Sequence, residues 1–352
     1  MLFHYDVLKF KEEIIMTFTR YLTGALVGAL SMSAMAAEVN VYSARQDALI
    51  VPLLEQFESE TGIEVNLITG KAGGLLSRMQ SEGAASPADV LITVDAGNLH
   101  RAKEAGVVQT IQSDVLQARI PETLRDPEMQ WVGLTKRART VFYAEDRVDP
   151  ANLSTYENLV DDQWKGRICI RSSSNVYNQS LVASLIEVHG EEATEEWARG
   201  MVANMARKPT GGDTDQLRAV AAGQCDIAVS NTYYYGRLLD SDKPEDQQVV
   251  DTVKAFWVNQ DDRGTHINIS GAVIAKHAPN YDEAIQLLEF MVSDDAQAYY
   301  AEINHEFPVV DSATVSDTIQ SLGTYKAHDL NLSILGENNK RAVMVMDRAG
   351  WQ

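Results

Sequence analysis

The 352-residue chain has only two cysteines, Cys169 and Cys225. That excludes a disulfide-dense scaffold, and their wide separation excludes a zinc knuckle. An exported protein can join such a pair, but both lie in apolar runs, RICI and QCDIAV, that read as buried strands, so unpaired core cysteines are the expectation. The seven histidines, His4, His100, His189, His266, His277, His305 and His328, include no HExxH pattern and no close pair. His266, near a crossing strand, is expected to make a structural hydrogen bond. Basic residues are scarce: 30 Lys and Arg stand against 50 Asp and Glu, a formal charge of -20. This balance argues against nucleic acid or an anionic membrane surface as partner, and is compatible with a cationic ligand.

Enzyme signatures are missing too. GKAGG at 70–74 lacks the spacing and GK[ST] ending of a phosphate loop, no GxSxG is present, and Ser173 has no evident His and Asp partners. The pairs Asp161 with Asp162 and Asp261 with Asp262 sit in hydrophilic stretches, where solvated surface explains them. An exported α/β enzyme therefore stands as the reading of a different class, without a nucleophile or an acid–base pair to carry it. No internal repeat and no low-complexity tail is evident.

What is present begins with the leader. Met16 is followed by TFTR, then by the apolar run YLTGALVGALSMSAMA, with Ala34, Met35 and Ala36 as a small-x-small pattern. This is the form of a secretory signal peptide cleaved after Ala36, and the residues before Met16 read as an extra N-terminal leader, so 1–36 is set apart from the fold. The run is short for a membrane span of roughly 20 residues. No lipobox cysteine precedes the mature start, so a soluble, monomeric periplasmic protein is expected.

With 45% hydrophobic and 7% aromatic residues the remainder is ordinary globular sequence. Its length suits two lobes, because single cores rarely grow beyond about 250 to 300 residues. Strand patterns (VNVYSA, IEVNLI, ADVLITV) alternate with helix patterns (LIVPLLEQFESETG, GGLLSRMQSEG, NLHRAKEAGVV), which predicts a mostly parallel sheet covered on both faces. The same grammar returns in WKGRICI, QSLVASLIEVHG, DTDQLRAVAAGQ and CDIAVSN, and YDEAIQLLEFMVSDDAQAYYAEI reads as one long helix. Between the halves, WVGLTKRARTVFYAED and FWVNQDDRGTHINISGAV read as strands crossing between two α/β lobes. The lobes are placed at 37–135 with 255–290, and at 136–254 with 291–352, around a hinge and an interlobe cleft where a small ligand binds.

Three strand ends offer polar groups to that cleft. NTYYYG at 231–236 puts Tyr233, Tyr234 and Tyr235 on a strand-to-helix turn; SSSNVYNQS at 172–180 puts Asn175 at a helix start with Tyr177 just inside; VYSARQD places Gln46 and Asp47 past the first strand. Converging phenols suit a hard, highly charged cation such as Fe(III), which displaces the phenolic proton by stabilising the phenolate. The same rings also suit the walls of a cleft for a polyamine, a sugar or an anion, or plain packing. The residues alone leave these readings open.

In TGIEVNLITGKAGGLLSRMQSEG, SPADVLITVD, TKRAR, LSTYENL, WKGRICIRSSSNVYNQSLVASL, NTYYYGRLL and RGTHINISG the chain resembles the periplasmic ferric-iron-binding proteins of bacterial ABC uptake systems, most closely the cyanobacterial-type branch. The resemblance implies a class II periplasmic binding protein fold that closes over one Fe(III) and delivers it to an inner-membrane ABC permease. It implies Tyr177, Tyr233 and Tyr234 as iron ligands. It further implies Arg137 and Arg237, with Arg139 less securely matched, as the residues that balance the phenolates or hold a carbonate-like anion, near Asn175. The chain departs from that branch at the first strand end, where relatives carry His-Tyr after YSSR. Here Gln46 replaces the histidine and Asp47 the tyrosine. A carboxylate is a hard oxygen ligand, so Asp47 is expected to coordinate directly or through water, with Gln46 donating a hydrogen bond. Arg137 or Arg237 is then expected to offset the extra negative charge. Tyr235 is left as the outward or packing residue of the triplet, and Tyr143 as structural.

Overall fold

The computed structural model describes residues 37–352; the segment read as leader and signal peptide, 1–36, lies outside the described residues. The first strand, β1 (Glu38–Ser43), pairs in parallel with β2 (Glu64–Thr69) and β3 (Val90–Val94), and amphipathic helices Val51–Thr61 and Ala72–Glu82 connect them. The first of these helices stops where the sequence says it must. Gly62 takes a left-handed conformation with φ 73° and donates its N–H to the Glu58 carbonyl.

The centre of the sheet is not parallel. After the short β4 (Val108–Gln109) comes β5 (Val132–Ala144), 13 residues long. It runs antiparallel to its neighbours on either side, so the expected mostly parallel sheet holds only at the two ends. Residues Val132 to Ala138 of β5 pair with β9 (Ile267–Ala275), while Arg139 to Ala144 pair with β7 (Ile227–Asn231) and β8 (Val253–Phe256). Parallel order returns beyond it, where the two-residue β6 (Ile168–Cys169) lies beside β7. The complete path is β2-β1-β3-β9-β5-β7-β6, with β10 (Phe307–Pro308) also on β5. The two segments read as crossing strands supply this antiparallel middle, since a strand passing from one α/β half to the other has no helical crossover to reverse its direction. Every residue of β9 is buried, in keeping with its apolar run INISGAVIA at the sheet centre.

Two cores result. The larger holds Trp131, Trp164, Phe57 and the strand residues of β1, β3 and β9. A smaller one, Phe142, Leu217, Leu238, Val253 and Tyr235, lies under the helix that carries the tyrosine triplet. Cys169 and Cys225 belong to this smaller core and are joined, with Cα atoms 5.9 Å apart, which corrects the expectation of free thiols. Both do lie in the buried strand context that their sequence announced. The missing information was that β6 and the approach to β7 are neighbours in the sheet.

The segment read as one long helix is two, Tyr281–Met291 and Asp294–Asn304. Ser293 breaks it, its hydroxyl accepting from the Ala296 N–H with two aspartates in the first turn that follows. Among the described residues no helix is long and apolar enough to cross a membrane.

Candidate metal centre

The site is built at three strand ends. After β6, the side chain of Asn175 caps helix Val176–His189 by accepting from the Tyr177 N–H at 3.1 Å, which places Tyr177 in the first turn. After β7, helix Thr232–Leu239 begins at once, so Tyr233, Tyr234 and Tyr235 also fall in a first turn. At that spacing the three rings cannot share a direction. Tyr235 turns into the smaller core, donating to the Val253 carbonyl at 2.6 Å and packing on Phe142 with ring centroids 5.1 Å apart. Tyr233 and Tyr234 turn to the cleft, their ring centroids 4.3 Å apart.

Tyr177, Tyr233 and Tyr234 line one cleft of about 110 Å³ together with Gln46, Arg137 and Arg237. The Tyr233 hydroxyl donates to that of Tyr177 at 3.1 Å. Burial pushes both phenols well above their ordinary value; neighbouring phenols add to the rise and the charge of Arg137 opposes it. Left to itself, then, the cleft keeps these two phenols protonated. Among the described residues no three His, Cys, Asp or Glu side chains converge on a point where a metal ion fits. A larger hollow of about 350 Å³ between Met79, Ala105 and His277 shares none of the cleft's residues.

Not every residue singled out from the sequence reaches the wall. Gln46 does, exposed at the end of the loop after β1, but Asp47 is one step outside the lining, exposed at the start of the short turn Asp47–Leu49. Asn175 is engaged as a cap. Arg139 is buried away from the cleft, bonded to Asp213 Oδ1 at 2.9 Å, Asn231 Oδ1 at 2.9 Å and Asn178 Oδ1 at 2.7 Å. His266 is buried outside the lining; its backbone N–H donates to the Tyr156 hydroxyl at 3.1 Å, and burial pushes its imidazole down to about 3. Tyr143 sits on β5, paired with Ile227 and Lys254.

Four charged residues of the site carried no motif. Glu306, just after helix Asp294–Asn304, accepts from Arg45 at 2.9 and 3.1 Å and from Arg137 at 2.5 Å. Burial alone would raise its carboxyl; Arg45 and Arg137 outweigh burial and hold it down to about 2. On the far side Asp213 joins Arg139 to Arg171, whose guanidinium lies 5.5 Å from the Tyr177 ring centroid. Arg237 covers the other two rings, at 5.2 Å from Tyr233 and 5.7 Å from Tyr234. Arg45, Arg137, Arg171 and Arg237 thus lie around the phenols, with Glu306 bonded to Arg45 and Arg137 and Asp213 bonded to Arg171. Arg137, 1% exposed, keeps its Nε and Nη1 without a hydrogen-bond partner, and Arg45 its Nε.

Residues 53–327 match the family model of bacterial extracellular solute-binding proteins. The chain is 49% identical over 315 residues to iron uptake protein A1 of Synechocystis sp., covering 90% of this chain and 88% of that one. A solved structure of the Trichodesmium protein IdiA (FutA), in complex with iron and citrate ligands, superposes with a TM-score of 0.87 at 50% identity, over 90% of this chain and 100% of that chain. The ferric binding protein of Campylobacter jejuni does so with a TM-score of 0.85 at 39% identity, over 89% and 100%.

Proposed function

The chain belongs to the bacterial extracellular solute-binding proteins, and on that premise we propose that it is the Fe(III)-binding component of an ABC iron transporter, capturing ferric ion in the periplasm and handing it to the inner-membrane permease. The observation that carries the reading is the convergence of Tyr177, Tyr233 and Tyr234, from two helix starts, on one small cleft with no histidine in its lining. Phenols that burial keeps protonated ionise when a trivalent cation arrives, so binding releases protons and three phenolates cancel the charge of Fe(III).

Arg237, which makes no ion pair among the described residues, adds positive charge beside the phenolates. This supports a bound anion, carbonate-like or a small carboxylate, on the free donors of Arg137 and on Arg237. Asn175 fixes Tyr177 through its backbone rather than by touching the anion. Gln46 supplies a hydrogen bond from the opposite wall, and Asp47, beside it, reaches the metal as the cleft closes. The lobes 37–135 with 255–290 and 136–254 with 291–352 move about β5 and β9, and iron favours the closed form by binding it better than the open one. The protein works as a monomeric carrier without turnover.

The test is a titration of the metal-free mature chain with chelated Fe(III), followed by visible absorption. One saturable tyrosinate-to-iron band per chain is expected. A folded protein that stays colourless while an organic solute raises its melting temperature excludes the ferric reading.

A further inference from the structure

Asp95 is fully buried, follows β3, and takes φ 78°, a backbone region costly for any residue with a Cβ. It opens helix Ala96–Glu104, where its Oδ1 accepts from the Gly97 N–H at 2.8 Å, an ordinary cap. Two further bonds leave that helix. Ser180, on helix Val176–His189, donates its hydroxyl to Oδ1 at 2.6 Å, and Asn268, on β9, donates its Nδ2 to Oδ2 at 2.9 Å. The Oδ1 of Asn268 is in turn held by the Ala96 and Ile269 N–H groups at 2.9 and 2.8 Å, so its amide orientation is determined. Gly97 leaves room for this meeting: a Cβ there would stand 3.1 Å from Asp95 Oδ1 and 3.8 Å from Ser180 Oγ.

The position of these bonds gives them meaning. Ser180 is three residues beyond Tyr177 on the same helix, hence on the same side of it. Val94, the residue before Asp95, lines the cleft. Asp95 therefore touches the β1–β3 half of the sheet, the crossing strand β9 and the helix that presents Tyr177, through a carboxylate with no water to compete for it.

Resting on the ferric-capture reading above, we infer that Asp95 and Ser180 form a latch between the halves, positioning the Tyr177 helix against the cleft and slowing the release of bound iron. Neither side chain is among the lining residues, so both are positioning residues. The latch acts on how long the cleft stays shut and leaves the phenolate ligands unchanged.

The experiment loads full-length mature protein with Fe(III) and times its transfer to excess EDTA for wild type, Ser180→Ala, Asp95→Asn and Ser184→Ala. Ser184 is a buried serine one turn further along the same helix, bonded only to the Leu181 carbonyl at 2.7 Å, and serves as the control for loss of a buried hydroxyl. Asp95→Asn keeps an acceptor for Ser180 but sets a donor against Asn268, so it tests the second arm should Ser180→Ala fail to fold. Release is expected roughly 10- to 100-fold faster in Ser180→Ala and Asp95→Asn, the range of a hydrogen bond to a charged group, at wild-type rate in Ser184→Ala, and with the band maximum unmoved in all four. Unchanged release in the first two, or equal acceleration in Ser184→Ala, overturns the latch. Absence of any band in the wild type overturns the ferric reading instead, so the two failures are distinguishable.

Discussion

The Tyr233 hydroxyl donates to the Tyr177 hydroxyl at 3.1 Å, although the two residues stand 56 positions apart and start different helices. Each is buried enough to resist ionisation, and the neighbouring Tyr234 adds to the resistance of both. A cation between them removes both penalties at once. Tyr177→Phe and Tyr234→Phe are expected to weaken Fe(III) binding at least tenfold and to shift or diminish the tyrosinate band, while Tyr235→Phe, which loses only a bond to the Val253 carbonyl, leaves the band in place. Visible titration of the three variants checks this, and an unchanged spectrum for Tyr234→Phe removes that residue as a ligand.

Glu306 links the cleft to acid stability. Its folded value of about 2 lies below the ordinary 4.5, so the unfolded chain takes up the proton first. The stabilisation is complete above pH 4.5 and disappears as pH falls toward about 2. Glu306→Gln leaves Arg45 and Arg137 buried without a counter-charge and is expected to cost about 3–5 kcal/mol near neutrality. Urea midpoints from pH 7 to pH 3 measure both effects, and the difference between variant and wild type should narrow toward the acid end.

Gly236 is two residues past Tyr234, and a Cβ there would lie 2.6 Å from the Cβ of His305. His305 is fixed in turn at the end of helix Asp294–Asn304, with φ 56°. Gly236→Ala must therefore push the tyrosine helix rather than its neighbour. A displaced absorption maximum and faster iron loss, with a melting temperature lowered by only a few degrees, are expected in spectra and thermal melts of the variant.

The disulfide spans 56 residues of chain and joins the roots of the two segments that carry the ligand tyrosines. Closing a loop of that length stabilises by about 4 kcal/mol in the chain-entropy account. Cys169→Ser with Cys225→Ser is expected to lower unfolding free energy by about 2–5 kcal/mol, measured by denaturant titration. A midpoint identical to wild type would show that packing of the small core alone holds β6 to β7.

Much of the site was legible because strand-to-helix turns are local events. Asn175 before VYNQS and NTYYYG after CDIAVS announce helix starts by residue type, and each start places its tyrosine, Tyr177 or Tyr233, in the first helical turn. Arg45, Glu306, Arg171 and Asp213 announced nothing. Their roles exist only in pairs, and a pair such as Arg45 with Glu306 is formed by side chains 261 residues apart.

The sequence by itself determined the features that near neighbours decide: the stop at Gly62, the three strand ends with their tyrosines, and the outward and inward turns of the triplet that follow from helical spacing. Tertiary structure alone decided the antiparallel middle of the sheet, the pairing of the cysteines, and the different fates of Arg137 and Arg139. Those two arginines share one face of β5, yet β9 sets Asn268 opposite the first and β7 sets Asn231 opposite the second, so one reaches Glu306 at the cleft and the other Asp213 beneath it. Strand register between distant segments is settled by which faces bury together, and no stretch of either strand contains that information alone.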